Sequence, residues 1–375
     1  MYSSPVKPFG FTLFALLASS VLGQERVGDF SLLDQSGYFH QMSWYDDNQA
    51  IAFLAQANRD ASVANAIPEF TRLAKAFSAE KIQFFLINSM GLRDREEVQA
   101  EMDRQGTQIP VLMDDAQIIG EALGIQRSAE LILFDPSNFT VIFRGSLTGE
   151  TESILNSIVA GEEFTAPETL EVGQPINYAA ANNHRQHPPV YETDVIPIIE
   201  ENCASCHRES GIAPFAMDSY SMIRGWSPMI REVVMTKRMP PGQIDPHIGS
   251  FENDMLISDS EQQTLLHWIE AGAPRDGTTD PLAHLSWPES EWAFGEPDLI
   301  IDIPPQEIPA TGVLDYYNVM VDVDLEEDRW VRASQYVPGD RTVLHRTVLH
   351  HTLHSIIPPG AARGGSLLGG DDQDR

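Results

Sequence analysis

A chain of 375 residues with 42% hydrophobic content is long enough for two or three domains. Its 55 acidic residues against 24 basic ones give a formal net charge of −31. That balance argues against nucleic acids and anionic membranes as partners, because both select basic patches.

Residues 1–23 read as a secretory signal. Lys7 supplies positive charge, Phe9 to Leu22 is mostly apolar, and Val21 and Gly23 are small enough for a cleavage site before Gln24. The apolar run is too short for a stable membrane span, so none is expected after cleavage. No cysteine follows it, which excludes a bacterial lipoprotein. The expected location is periplasmic or secreted.

The segment 24–164 alternates strand and helix patterns. Ala50 to Leu54 reads as a buried strand and Ser62 to Phe77 as a helix carrying Ile67, Phe70, Leu73 and Phe77 on one face. Lys81 to Ile87 is a second strand, and Leu92 to Gln105 a charged helix. Val111–Met113 and Leu131–Phe134 are further strands, separated by a helix over Ala116 to Leu123, and Thr140 to Phe143 pairs beside the last. Strands separated by helices imply an α/β layer fold.

Three pieces, Asn65–Phe70, Ile109–Asp114 and Ile142–Gly145, give this segment a resemblance to the thioredoxin-like fold in its peroxiredoxin-type form. That family would place its reactive cysteine near Arg59-Asp60-Ala61, where this chain has none. The family's cis-proline loop reads Ser128-Ala129-Glu130 here. A thiol peroxidase needs a thiolate, so the domain is expected to be redox-silent. The Asn138-Phe139-Thr140 sequon reads as a surface turn. Residues 165–191 read as a linker punctuated by Pro167, Gly173, Pro175, Pro188 and Pro189, with His184 and His187 as solvated linker histidines.

The segment 192–280 reads as helical. Val195, Ile198 and Ile199 lead into Cys203-Ala204-Ser205-Cys206-His207, which contains the only two cysteines of the chain. C-x-x-C-H is the attachment pattern of c-type haem. Two thiols one helical turn apart reach the two vinyl groups of one porphyrin, and the imidazole that follows ligates the iron. A disulfide and half a zinc site are the alternatives. A zinc site would need more Cys or His nearby, and a redox dithiol is expected in a βαβ context. Ser221 to Lys237 is a second helix. Ser258-Asp259-Ser260-Glu261 opens a third, which stops at Gly272-Ala273-Pro274.

The sixth iron ligand is expected to be Met239, because two prolines after it hold an extended loop. Met217, Met222, Met229, Met235 and Met255 sit mostly at helical positions, where packing is the default. His247 and His267 are runners-up.

The Cys203–His207, Met239-Pro240-Pro241 and Trp268–Pro274 stretches together resemble the small cytochrome c domain of bacterial multidomain proteins. Downstream, Gly295–Leu299, Ile308–Gly312, Asp328–Ala333, Val337–Asp340 and His350-His351 are similar to the start of a copper type II, ascorbate-dependent monooxygenase of the peptidylglycine-hydroxylase kind. That resemblance implies copper at His350 and His351, for which imidazole is a suitable ligand. Alternation through Tyr317, Val319, Val321 and Val323 reads as β-sandwich strands. The third histidine and second copper domain of that family are not in the chain, and His354 is too close to replace the former. Arg341–His345 is repeated at once as Arg346–His350; five residues is an odd insertion, which swaps the faces of a strand. His345, His350, His351 and His354 read equally as surface imidazoles.

The expected architecture is multidomain, α/β plus α plus β. It comprises a signal (1–23), a cysteine-less thioredoxin-like α/β domain (24–164), a linker (165–191), a small all-α cytochrome c domain (192–280), a partial, truncated β-sandwich (281–357) and a Gly-rich, acidic disordered tail (358–375). The expected function is single-electron transfer by covalent haem c with redox partner proteins in the periplasm. The alternative is a copper monooxygenase fed by the haem.

Overall fold

The computed structural model describes residues 25–165, 171–209, 211, 213–249, 251, 254–286 and scattered positions from 292 to 337. The expected signal, the tail and His345, His350, His351 and His354 lie outside the described residues. The described residues fall into two compact units, one from Met1–Asn202 with Ile223–Thr279, the other from Cys203–Met222 with Asp280–Arg375.

The first unit is built on a sheet of eight strands: β1 (Glu25–Arg26), β2 (Ser31–Asp34), β3 (Phe39–Gln41), β4 (Ala50–Ala55), β5 (Ile82–Asn88), β6 (Val111–Met113), β7 (Glu130–Asp135) and β8 (Thr140–Ser146). Their order is β1-β8-β7-β4-β5-β6-β2-β3. β4 lies in the interior, parallel to β5 and antiparallel to β7. All its residues are buried, as befits an apolar run covered on both faces.

Parallel strands need a crossover, and between β4 and β5 it is helix α1 (Ala61–Ala76). Asp60 caps α1, its Oδ1 accepting from the amides of Ser62 and Val63 at 2.7 and 3.2 Å. The buried stripe Val63, Ile67, Phe70 and Leu73 joins Ala52, Leu54, Leu86 and Leu133 in one apolar core. On alternate strand positions, Phe53, Phe85 and Phe134 cluster with Phe30 at centroid separations of 5.7–6.2 Å. Helix α2 (Arg95–Gln105) follows β5, the short α3 (Ile118–Ala122) follows β6, and α4 (Thr151–Ala160) follows the antiparallel β7–β8 hairpin. This is the α/β layer arrangement implied by the element order in the sequence.

The stretch read as a linker contains helix α5 (Ala179–Gln186). It is anchored by few residues: Ala181 is buried, and the Tyr178 hydroxyl donates to the Ile125 carbonyl at 2.8 Å. Proline and asparagine content reports where backbone turns, and here it concealed a short helix held by tertiary contact. A π-helical turn (Tyr191–Val195) leads into α6 (Ile196–Asn202). Then come α7 (Tyr220–Met235) and α8 (Asp259–Glu270), the latter opened by the expected capping box of Ser258 and Glu261. Within this unit α7 and α8 are bonded to the sheet-bearing part. Arg231 donates to the Val27 carbonyl at 2.9 Å, and Gln263 to that of Ala116 at 2.7 Å.

In the second unit, residues after 279 form one 3-10 turn at Pro281–His284, and no strand occurs there among the described residues. Val321 and Val323, expected in a β-sandwich, are described and are not in a strand; Tyr317 and Val319 are outside the described residues. Alternation announces one buried face but supplies no partner ladder. Leu299, Ile300, Ile301 and Ile303 are all exposed.

Candidate functional site

Cys203 to His207 wind into a single helical turn directly after α6. The Cys203 carbonyl accepts from the amides of Cys206 and His207 at 3.2 and 2.9 Å. The i, i+3 spacing puts both thiols on one side of the turn. Both are half-buried, and they are not joined to each other as a disulfide.

The chain then folds back on this turn. The Ala213 amide donates to the Cys206 carbonyl at 3.1 Å, and the Met217 amide to the His207 carbonyl at 2.8 Å. Gly211 makes the return feasible. A first side-chain carbon there would stand 2.3 Å from the Cys206 carbonyl oxygen and 2.9 Å from that of Arg208.

His207 is oriented by the same loop. Its Nδ1 lies 3.1 Å from the Phe215 carbonyl oxygen, with the two rings 4.7 Å apart. A carbonyl only accepts, so Nδ1 carries the proton in that bond. Metal-bound imidazoles are commonly held this way, the second nitrogen donating to a carbonyl or carboxylate. Two thiols on one turn and an imidazole with its Nδ1 on a backbone carbonyl are the residue types that a c-type haem uses.

Met239 stands on the loop that follows α7. The amides of Arg238 and Met239 both donate to the Val233 carbonyl, at 2.9 and 3.1 Å, and the Met239–Pro240 bond is cis. Its side chain is 38% exposed, whereas Met217 and Met235 are buried at 6% and 4%. The packing role expected of those two is therefore observed; Met229, for which packing was also expected, is 48% exposed, and Met239 is not packed away.

The runner-up ligands have other partners. His267 Nε2 lies 3.0 Å from Glu121 Oε2 and its Nδ1 lies 2.8 Å from His184 Nδ1. With a carboxylate on Nε2, His267 accepts at Nδ1 and His184 donates, so both nitrogens of His267 are engaged. His184 is thus not the solvated linker residue that composition suggested. Burial foremost, then its neighbour His267, holds its pKa below the ordinary histidine value. His247 Nε2 lies 3.6 Å from Asp115 Oδ2. Among the described residues no group of three or more His, Cys, Asp and Glu side chains is arranged to hold a metal ion. The copper expectation at His350 and His351 falls outside them.

Near the start of α1, in the Arg59-Asp60-Ala61 stretch, the structure shows a buried, hydrogen-bonded Asp60. Its Oδ2 accepts from the Ser128 hydroxyl at 2.7 Å, and Ser128 Oγ accepts in turn from the Gln174 amide at 2.8 Å. The capping carboxylate and the serine are thus joined in one hydrogen-bonded chain, and residues 24–164 contain no cysteine. The Phe215 carbonyl, the Gly211 approach and the His184–His267–Glu121 chain were not foreseen; only the histidines carried a signal, and it was discounted.

No protein-family model matches the sequence, and no curated protein matches it. Solved structures similar to this chain include a hypothetical protein from Sinorhizobium meliloti 1021, with 19% identity over 42% of this chain and 94% of that one at a TM-score of 0.38. A thiol:disulfide interchange protein of the thioredoxin family from Chlorobium tepidum is 17% identical over 36% of this chain and 97% of its own (TM-score 0.32). Peroxidoxin BcpB from Mycobacterium tuberculosis is 16% identical over 38% and 97% (TM-score 0.31). Among the described residues no helix is long and apolar enough to cross a membrane.

Proposed function

We propose that this protein is an exported c-type cytochrome that carries single electrons on a haem bonded through Cys203 and Cys206. The observation that carries this assignment is the bond from His207 Nδ1 to the Phe215 carbonyl inside a C-x-x-C-H turn. Haem supplies one-electron chemistry between ferric and ferrous iron. The chain's own residues attach and orient it. The Cys203 and Cys206 sulfurs are the thioether donors. His207, with its proton on Nδ1, would bind the iron through Nε2. Met239 would supply a thioether ligand, on the chemistry of its sulfur and its proline-bounded loop, and such a ligand would raise the potential relative to a second imidazole. The thioredoxin-like domain has no thiol and takes no part in thiol–disulfide exchange. A net charge of −31 favours basic redox partners, with association that weakens as salt rises.

The test is export in a bacterium that carries the haem-maturation machinery, followed by denaturation and a pyridine haemochrome assay for covalently retained haem. Haem is expected in the wild-type chain and absent after Cys203→Ser with Cys206→Ser. Wild-type protein that emerges without covalent haem, while a control cytochrome is loaded in the same cells, overturns the assignment.

A further inference from the structure

The hairpin at one edge of the sheet holds a chain of three titratable side chains that the proposed haem chemistry does not use. β2 and β3 pair with Leu32 opposite His40. Asp34 ends β2, and its Oδ1 accepts from the amides of Ser36 and Tyr38 at 2.8 and 2.9 Å, which fixes the carboxylate in the turn. Its Oδ2 lies 3.2 Å from His40 Nε2, and His40 Nδ1 lies 2.7 Å from the Tyr45 hydroxyl. Tyr45 closes the 3-10 turn Met42–Tyr45 and is half-buried. Its ring and that of His40 both stand edge-on to the buried Phe85, at 5.4 and 5.0 Å.

The protons in this chain have one arrangement. Burial opposes the Asp34 charge, but the His40 bond and the two turn amides outweigh it and hold the carboxyl below the usual carboxylate range. A carboxylate only accepts, so His40 carries its proton on Nε2 and accepts at Nδ1, and the Tyr45 hydroxyl is the donor. Burial, then the Asp34 charge, pushes the Tyr45 phenol above its ordinary value. The hydroxyl therefore keeps its proton as long as the ring keeps its electrons. Loss of one electron makes a phenol O–H strongly acidic, and the base that would then receive the proton is already in place. The His40 and Asp34 side chains are 14% and 6% exposed, so that acceptor is built into the fold rather than supplied by solvent.

We propose that Tyr45 is a redox-active tyrosine, which gives one electron to a high-potential one-electron oxidant while its proton passes to His40 Nδ1. The O–H bond of Tyr45 breaks, an N–H bond forms at Nδ1, and the oxidant gains the electron. The products are a neutral phenoxyl radical and an imidazolium whose charge Asp34 balances. Return of one electron to the ring brings the proton back. The oxidants that fit are high-valent metal centres and inorganic radicals, which take a single electron without bonding to the ring. Nothing in this step draws on the haem assignment, so the two stand or fall separately.

The experiment uses the full-length exported protein, with ruthenium(III) tris-bipyridine generated by flash-quench as the oxidant and a nitroso spin trap present. Adducts are located and quantified by peptide mass spectrometry. Exposure alone favours Tyr38, which is 71% exposed; the proposal expects Tyr45 to carry more adduct than Tyr38. His40→Gln keeps an acceptor for the phenol but supplies no base, so the Tyr45-to-Tyr38 adduct ratio should fall about a hundredfold, the low end of what a positioned base contributes. Asp34→Asn turns the proton pattern over: its amide donates to Nε2, Nδ1 takes the proton, and the ratio should fall likewise. Either variant that folds and retains the wild-type ratio overturns the proposal, as does a wild type in which Tyr38 carries more adduct than Tyr45. If neither variant accumulates, the wild-type ratio decides. Failure of the haem assignment would leave these readings unchanged.

Discussion

Asp114 gives the fold a pH dependence whose sign is set by burial. It lies at the end of β6, 1% exposed. Its Oδ2 accepts from the Ser89 hydroxyl and the Gly120 amide, both at 2.7 Å, and its Oδ1 from the Ile119 amide at 3.2 Å. Those bonds favour the carboxylate, but desolvation outweighs them and Asp115 adds repulsion, so the pKa is pushed from 3.8 to about 6. A folded pKa above the unfolded one means that the group stabilises the fold fully below its unfolded pKa, near pH 4. That contribution is lost as pH rises through about 6. A gap of about two pH units is worth about 3 kcal/mol. The assay is urea unfolding of the wild type and Asp114→Asn at about pH 4 and about pH 8, since the amide does not titrate and other groups cancel in the difference. Relative to the wild type, the variant should gain up to about 3 kcal/mol between those two conditions. A difference that does not move with pH, or a wild type that gains on the variant as pH rises, refutes the dominance of burial over the three hydrogen bonds.

Three other outcomes follow from particular contacts. Gly211→Ala would place a carbon 2.3 Å from the Cys206 carbonyl oxygen, so the return loop must shift; covalent haem yield per exported chain should fall severalfold, read by pyridine haemochrome. Met239→Ala should convert a low-spin, six-coordinate spectrum into a high-spin one, and an unchanged spectrum removes Met239 as the ligand. Asp60→Ala removes the α1 cap and the acceptor for Ser128; a loss of about 1–2 kcal/mol is expected by denaturant unfolding, with the haem spectrum untouched. A change in the spectrum would show that this corner of the fold is not as silent as its chemistry implies.

The strands and helices of the N-terminal α/β part were legible because each carries its signal locally. Ala50 to Leu54 is apolar at every position, and α1 repeats Ile67, Phe70 and Leu73 at helical spacing, so pattern and burial coincide. Helix α5 was not legible: its hold on the fold runs through Tyr178 to Ile125 and through His184 to His267. Neither partner is visible from within a stretch of prolines and asparagines. Alternation through Val321 and Val323 was readable, and no strand is observed at either residue, but most of the stretch expected as a β-sandwich lies outside the described residues.

The candidate site divides along the same line. Attachment chemistry needs two thiols and an imidazole in fixed sequence, so five residues declare it. Orientation of that imidazole depends on a backbone carbonyl eight residues on, which any residue type could supply; Phe215 is therefore invisible as a motif. The Met239 loop is a more distant case. Its prolines mark it as rigid, but where it is held depends on Arg95, Asp245 and the space at Gly37, brought together only by folding. Once the chain is folded, the start of α2 provides the buried cation on which that loop is anchored, and the β2–β3 turn leaves the space for it.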